Sequence, residues 1–438
     1  MARRRARGSN AGMALEFEQA YGFPQPSGYR RMSFVSAALG EEQPLISGDL
    51  RGQGREPDEP DRDAADNQGD VVVPMCARQF GLWLKMGFGA PTTSAGKPAR
   101  GSIIFSSQPA NNATISVGGQ TFTFVTGTPT ANQIKIGTTV AYTVANAVRV
   151  LNSSTVPGVA AASYRQNDRG NGILIQHDAL GVAGNAFAIE AGATPASNAV
   201  ASGATLAGGA ASGGYRHIFT SGAVELPSAA IEIQHPEVPS YHMNFGVKLG
   251  VIAIQMQRGG NLTATLSLVA QGEEPATEAS AAGDLADGLE VARFSQFAGT
   301  VLRHGSPIAD LVSGQLNLSN GLDPVPGIRG DGRITGLDEG DPAYTGQLGV
   351  RYSGPELQQQ AENGEPCDLE YSWTRPGSDF SLRIILHRVF LPKAKKPVTG
   401  GGAVQATYAF QAALDRAAGH SVTIILDNDV AGSAYGGA

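Results

Sequence analysis

Short stretches in which apolar and polar residues alternate recur through the second half of the chain. A period of two places one set of side chains on one face of a strand, so each stretch predicts a half-buried β-strand. The succession of such stretches predicts an antiparallel, mainly β fold. The clearest of them are 230–234, 262–269, 316–318, 345–352, 367–373, 380–391 and 421–426.

Two other segments have the pattern of a helix. In residues 79–88 the large apolar side chains Leu82, Trp83 and Met86 are spaced to share one face. Residues 354–364 begin with proline after glycine and end at Asn-Gly, which are typical helix end signals. Strands with few helices predict a β-sandwich with a flanking helix.

The middle of the chain, residues 93–214, differs in composition from both ends. It is rich in Gly, Ala, Ser and Thr, and only nine of its 122 residues are charged. Residues 114–125 read as a hairpin with a Gly118-Gly119 turn, and Thr138 and Thr139 are candidate caps of a helix that continues to Leu151. This pattern predicts a small α+β domain, whose uncharged exit, 191–214, reads as a linker.

These features predict one β-rich domain interrupted by an inserted module. The predicted boundaries are 1–92 for the first part of the host domain, 93–214 for the insert and 215–438 for the second part with a C-terminal extension. Residues 40–70 are polar and acidic, which predicts a long exposed loop. Residues 1–12 carry four arginines without a following apolar segment, so we expect a mobile basic arm rather than a secretory signal.

Charge and composition exclude several classes of protein. The 438 residues carry a net charge of −7, which argues against nucleic-acid binding through overall charge. No apolar run reaches the length needed to span a membrane. The seven histidines show no metal-ligand spacing, and no nucleophile-elbow or phosphate-loop motif is present. The sequence therefore predicts no enzyme, no cofactor and no metal site. Cys76 and Cys367 are either reduced or joined to a distant segment or another chain.

The flanking segments resemble the tail tube proteins of long-tailed bacteriophages. The resemblance begins with LEFEQAYG at 15–22 and GDVVVP at 69–74, and it continues with GQLNLSNGLD at 314–323. The remaining matching segments are 43–45, 52–55, 81–84, 235–239, 263–272, 332–336 and 346–352. The insert separately resembles small modules of phage virion proteins through ISVGGQTFTF at 115–124, NQIKIG at 132–137 and Leu151-Asn152.

This resemblance implies a tail-tube-type β-sandwich that forms hexameric rings, stacked into a hollow tube around a tape measure protein. Tail terminator and baseplate proteins are further implied partners, DNA passes through the lumen without specific binding, and assembly takes place in the bacterial cytoplasm. The insert would decorate the exterior of the tube. Part of 40–70 would bridge subunits, and its candidate contact residues are Arg51, Arg55, Asp58 and Asp61.

Two other interpretations of the sequence remain open. The insert, or the whole chain, is alternatively a virion-surface module that recognises host glycans or the host envelope. A virion-associated hydrolase is a third interpretation, but the sequence places no acid–base pair for it.

Overall fold

The computed structural model confirms the mainly β fold: strands hold 47% of the residues and helices 12%. It describes all of the chain except a few short segments and the side chain of Glu356. The described residues are 5–49, 55–56, 59–286, 288–308, 310–352, 354, 356–396 and 403–436.

The first ninety residues contain short strands, one long strand and the predicted first helix. Its large apolar side chains, including Phe80, Trp83 and Met86, are buried. The elements are β1 (Gly12–Phe17), β2 (Arg30–Arg31), β3 (Ser36–Ala37), β4 (Gly40–Glu42), β5 (Leu45–Ile46), β6 (Asp61–Arg62), β7 (Asp66–Pro74) and α1 (Phe80–Phe88).

The low-charge middle contains the predicted hairpin and helix. The side chain of Thr139 accepts a hydrogen bond from the Tyr142 backbone N–H, which confirms Thr139 as the helix cap. The elements are β8 (Thr92–Phe105), β9 (Thr114–Val117), β10 (Gln120–Val125), β11 (Gln133–Lys135), α2 (Val140–Asn152), α3 (Pro157–Ala160), β12 (Ala162–Gln166), β13 (Gly172–Leu180), β14 (Ile189–Ala191), β15 (Ala199–Ala201) and β16 (Ala210–Thr220).

The remaining strands and the second predicted helix follow. Every strand predicted after residue 229 is present, with ends that differ by a few residues. The elements are β17 (Ala229–His235), β18 (Ser240–Met256), β19 (Thr263–Ala270), β20 (Gly272–Glu273), β21 (Gly299–Arg303), β22 (Ser306–Pro307), β23 (Leu311–Ser319), β24 (Leu322–Val325), β25 (Gly336–Glu339), β26 (Ala343–Arg351), α4 (Glu356–Asn363), β27 (Cys367–Thr374), β28 (Ser381–Phe390), β29 (Gln405–Ala412) and β30 (Val422–Asn428).

The chain divides into two compact units, each built from three segments. The first unit comprises Met1–Ala90, Ser221–Gln296 and Gln315–Gln347. The second comprises Pro91–Thr220, Phe297–Gly314 and Leu348–Ala438, so it contains the low-charge middle together with C-terminal strands. Whether residues 93–214 are an insertion into a host domain of 1–92 and 215–438 stays a prediction.

In the first unit the long strand β18 belongs to two sets of strands. Its N-terminal half pairs with β17, which pairs with β1, and its C-terminal half pairs with β19, which pairs with β7. The change takes place near Gly246, whose φ of 63° is favourable for glycine. An added Cβ there would lie 2.7 Å from the Gln271 Cβ, so glycine is also needed for space.

In the second unit, residues between 99 and 206 share one hydrophobic core; we call this part the module. Two four-stranded arrangements, β12–β13–β8–β15 and β11–β10–β9–β14, contribute to the core together with α2. On α2 the side chains Val144, Val148 and Leu151 are fully buried, as the helical pattern predicts. The other strands of the unit include the series β16–β30–β28–β27–β21.

The predicted linker at 191–214 is wrong. Strand β15 pairs with β8, Leu206 is buried in the core of the module, and β16 begins at Ala210. Small uncharged side chains do not prevent a segment from joining a sheet, because strand pairing is made by backbone groups.

The acidic segment also differs from the prediction at its end. Residues 66–70 are not loop but the start of β7, where Asn67 is buried and donates a hydrogen bond from Nδ2 to Asn244 Oδ1 at 2.9 Å. The basic start of the chain lies exposed from residue 5 as far as residue 10, and residues 1–4 lie outside the described part.

Candidate assembly surface

The acidic segment forms a small exposed hairpin in the first unit. Strands β5 and β6 pair so that Leu45 faces Arg62 and Ile46 faces Asp61. Leu45 is 66% exposed and Ile46 is 49% exposed. Leu45 and Ile46 are successive residues of a strand, so one exposed aliphatic side chain lies on each face of this charged hairpin.

Two of the four candidate contact residues are described. Arg55 and Asp61 are both exposed, and neither forms an ion pair with another described residue. Arg51 and Asp58 lie outside the described residues. The contact role of all four stays a prediction. Leu45 and Ile46 were not among the candidates, although an aliphatic pair next to a charged stretch is a signal that the sequence contains.

A second extended segment of the first unit contacts this region. Strands β24 and β25 form a separate hairpin, and Ile328 in the loop between them is fully exposed. Near the end of this loop the Gly332 carbonyl accepts a hydrogen bond from the Ala65 backbone N–H at 3.0 Å. The two hairpins therefore present exposed aliphatic side chains from neighbouring segments of one unit.

Half-buried charged side chains anchor these segments. Arg333 donates two hydrogen bonds to the Glu41 carboxylate, at 2.7 and 3.2 Å, and a third to the Glu273 carbonyl. His242 lies 2.8 Å from the Glu273 carboxylate. Bidentate Arg–carboxylate pairs restrict both partners, so Arg333 ties the segment of Glu41 to the loop that precedes β25.

One hydrogen-bonded arrangement in the second unit has the residue types of a catalytic site with a hydroxyl nucleophile and a histidine base. Thr93 Oγ1 lies 2.9 Å from His217 Nδ1, and His217 Nε2 lies 2.9 Å from Asn428 Oδ1. The His217 ring has no exposed surface and packs against Tyr435. Burial lowers the pKa of His217. A ring enclosed in this way has no access to a substrate, so the arrangement is a structural hydrogen-bond network.

A buried ion-pair network joins the module to the other strands of the second unit. Arg383 on β28 donates two hydrogen bonds to Glu370 on β27, at 2.8 and 3.1 Å, and Arg165 on β12 donates one at 3.0 Å. Burial alone raises the pKa of Glu370, but the two arginines outweigh it, so its pKa lies below the usual range. Nearby, Arg216 binds Asp427 at 2.8 and 3.2 Å.

The cysteines and the acidic residues provide no further chemistry in the described part of the chain. Cys76 and Cys367 are buried, free thiols. Burial raises the pKa of both, and that of Cys367 reaches about 11, so neither is a reactive thiolate at neutral pH. Within the described ranges, no group of three or more His, Cys, Asp or Glu is arranged to hold a metal ion. The described helices include none long and apolar enough to cross a membrane.

The described residues form a mainly β protein with exposed hairpins. A family model described as phage tail tube protein matches residues 8–412, which include most of both units. The chain therefore belongs to the phage tail tube protein family, whose members are structural proteins of the virion and not enzymes. Self-assembly into a tube follows from this membership. No curated protein matches the sequence.

Proposed function

We propose that this protein forms hexameric rings, which stack around a tape measure protein into the tail tube that conducts the genome during ejection. The observation that carries the proposal is the family match over residues 8–412. Tail terminator and baseplate proteins would bind the ends of the tube. The rings would assemble in the cytoplasm of the bacterial host.

The charge of the chain supports a role as a conduit. Its net charge is −7, and a lumen of the same sign as DNA allows the duplex to pass without binding. DNA is therefore a passing cargo in this proposal and not a ligand.

The hairpin of β5 and β6 is the proposed contact between subunits. It combines the exposed aliphatic pair Leu45 and Ile46 with the charged residues Arg55 and Asp61. Burial of the aliphatic pair would supply affinity, and the charges would set the register between partners. Arg51 and Asp58 belong to the same segment of the sequence and share this proposed role.

The module is the proposed decoration of the tube exterior. Among the described residues, the hydrophobic side chains of its core all lie between residues 99 and 206. A segment with a core of its own is suited to be added to a tube-forming protein without changing the tube.

Electron microscopy of the purified full-length protein tests the main proposal. We expect rings or tubes with a central channel and six-fold symmetry in averaged end views. A stable monomer at all concentrations, measured by light scattering in the same samples, would contradict the proposal.

A deletion tests the position of the module. Lys97 and Ala210 are paired partners on β8 and β16, so residues 98–209 can be replaced by a two-residue Asn-Gly turn that keeps this pair in register. We expect tubes of smaller outer diameter with an unchanged channel. If the variant is folded by circular dichroism but forms no tubes, the module is part of the assembly contact and not a decoration.

A further inference from the structure

A groove of about 460 Å³ lies within the second unit, beside helix α2. One wall is the outward face of α2, with Tyr142 and Arg149, and the opposite wall includes Arg303, Arg351 and Tyr352. This volume is within the range of ordinary small-molecule sites. The groove is independent of the hairpin to which the assembly contact was assigned.

The charge of the groove is the opposite of the charge of the chain. Arg149, Arg303 and Arg351 line it, and none of its described lining residues is acidic. Within the described part of the chain, no carboxylate forms an ion pair with these three arginines, whereas Arg78, Arg165, Arg216, Arg329, Arg333 and Arg383 all have carboxylate partners. Like charges around one groove repel each other, and a bound anion removes that cost.

Two aromatic side chains stand beside the arginines. Tyr142 is 50% exposed and Tyr352 is 40% exposed. The Lys396 ammonium lies 4.3 Å from the centre of the Tyr352 ring, and the Tyr352 hydroxyl donates a hydrogen bond to Gln358 Oε1 at 3.4 Å. Tyr352 is therefore held in place before any ligand binds.

Two of the three arginines are also positioned by neutral partners. Arg303 donates a hydrogen bond to Oε1 of the buried Gln360 on α4, and Arg149 donates one to Asn146 Oδ1 at 3.2 Å. A guanidinium has five N–H donors, so a single neutral acceptor leaves the others for a ligand. These neutral partners orient the side chains of Arg149 and Arg303 without cancelling their charge.

We infer that this groove binds an acidic saccharide, a sugar chain with carboxylate groups. The planar guanidinium groups of Arg149, Arg303 and Arg351 match the geometry of a carboxylate, and the two tyrosines offer flat apolar faces for a sugar ring. A polyphosphate would use the charges but not the aromatic faces. The inference goes beyond the proposed function, because a tube needs no ligand site beside its module.

Binding measured on the full-length protein tests this inference. The probes are oligogalacturonate and alginate oligomers as acidic saccharides, cello-oligosaccharides as neutral ones, and polyglutamate and polyphosphate as anions without sugar. We expect the acidic saccharides to bind most tightly by calorimetry. Arg351→Gln and Tyr142→Ala should each weaken that binding roughly ten-fold or more. Arg388→Gln, an exposed arginine on β28, is the matched control and should bind as the unchanged protein does.

Several results would overturn the inference. These are an absence of binding by both acidic saccharides, tighter binding of polyglutamate or polyphosphate, and equal binding by Arg351→Gln and the control. If Arg351→Gln abolishes tubes in parallel micrographs, the groove is a contact between copies and not a ligand site. Because tube formation is scored separately from saccharide binding, failure of one proposal does not decide the other.

Discussion

At the scale of single residues, the buried charges of the second unit are groups whose removal is costly. Glu370 forms ion pairs with two arginines, Arg165 and Arg383, on strands far apart in the sequence. A buried ion pair adds little net stability compared with apolar residues, but removal of one partner leaves an uncompensated charge. Removal of the Glu370 carboxylate should therefore cost more stability than the intact ion pairs add relative to apolar residues.

We expect Glu370→Ala to lower the free energy of unfolding by about 3–5 kcal/mol, because two arginines lose their carboxylate partner. Urea denaturation followed by circular dichroism measures this change. Glu365→Ala, at an exposed position before β27, is the control and should change the free energy by less than about 0.5 kcal/mol. Equal effects of the two variants would show that the network is not stabilising.

The ion pairs of Glu370 also predict that the stability of the protein depends on pH. The pKa of Glu370 is lowered in the folded protein, so the unfolded chain takes up a proton at higher pH than the folded one. The stabilisation is present above the unfolded value of about 4.5 and is lost as the pH falls through the lowered folded value.

His217 also predicts that stability falls on acidification, but in a pH range above that of Glu370. Burial lowers its pKa in the folded protein, so below the ordinary value of 6.5 the unfolded chain binds a proton that the folded chain does not. We expect the free energy of unfolding to fall between pH 7 and pH 5, and His217→Gln to reduce this slope. Denaturation midpoints at several pH values measure the effect, and identical slopes would refute it.

At the scale of elements, one turn packs closely against the module. The turn between β21 and β22 contains Gly305, whose φ is 73° and whose carbonyl accepts a hydrogen bond from the Gln166 backbone N–H at 3.0 Å. A Cβ at this position would lie 2.7 Å from Val148 Cγ1 on α2 and 2.9 Å from the Tyr164 carbonyl oxygen. The turn therefore requires glycine both for its backbone angle and for its close approach to the module.

We expect Gly305→Ala to lower the free energy of unfolding by about 2 kcal/mol or more, because strain and close contact add. Gly377→Ala is the matched control in the same unit, since its φ is also positive, at 74°, but no atom lies within 4 Å of the added Cβ. Chemical denaturation of both variants separates the two effects. If Gly305→Ala costs no more than Gly377→Ala, the close approach is not important.

The elements predicted from sequence are those in which the apolar side chains lie on the buried face and the polar side chains on the exposed face. The alternation of 263–269 and the apolar face of α2 each place buried residues correctly. Strand β8 was missed because Gly96, Pro98 and charged residues interrupt its pattern. Its first half pairs with β16 and its second half with β13 and β15, so its two halves have different neighbours and no single period.

At the scale of the whole molecule, the exposed aliphatic residues of the first unit predict how assembly is interrupted. We expect Leu45→Asp together with Ile46→Asp to abolish tubes in electron micrographs, because two charges would have to be buried in the contact. Thermal unfolding of the isolated chain should change little, since both residues are exposed. Val224→Asp, at an exposed site of the same unit, is the control. Normal tubes from the double variant would exclude the hairpin of β5 and β6 as a contact.

The sequence alone determined the mainly β fold, the positions of most strands and helices, and the resemblance to tail tube proteins, which the family match confirms. The periods of strands and helices and the residues of turns involve only a few neighbouring positions. They can therefore be recognised in the sequence itself. The tertiary structure decided which distant segments pair, and so placed 199–201 and 210–214 in strands and gathered Arg149, Arg303 and Arg351 around one groove. Such groupings depend on long-range backbone pairing and shared burial, which no local pattern records.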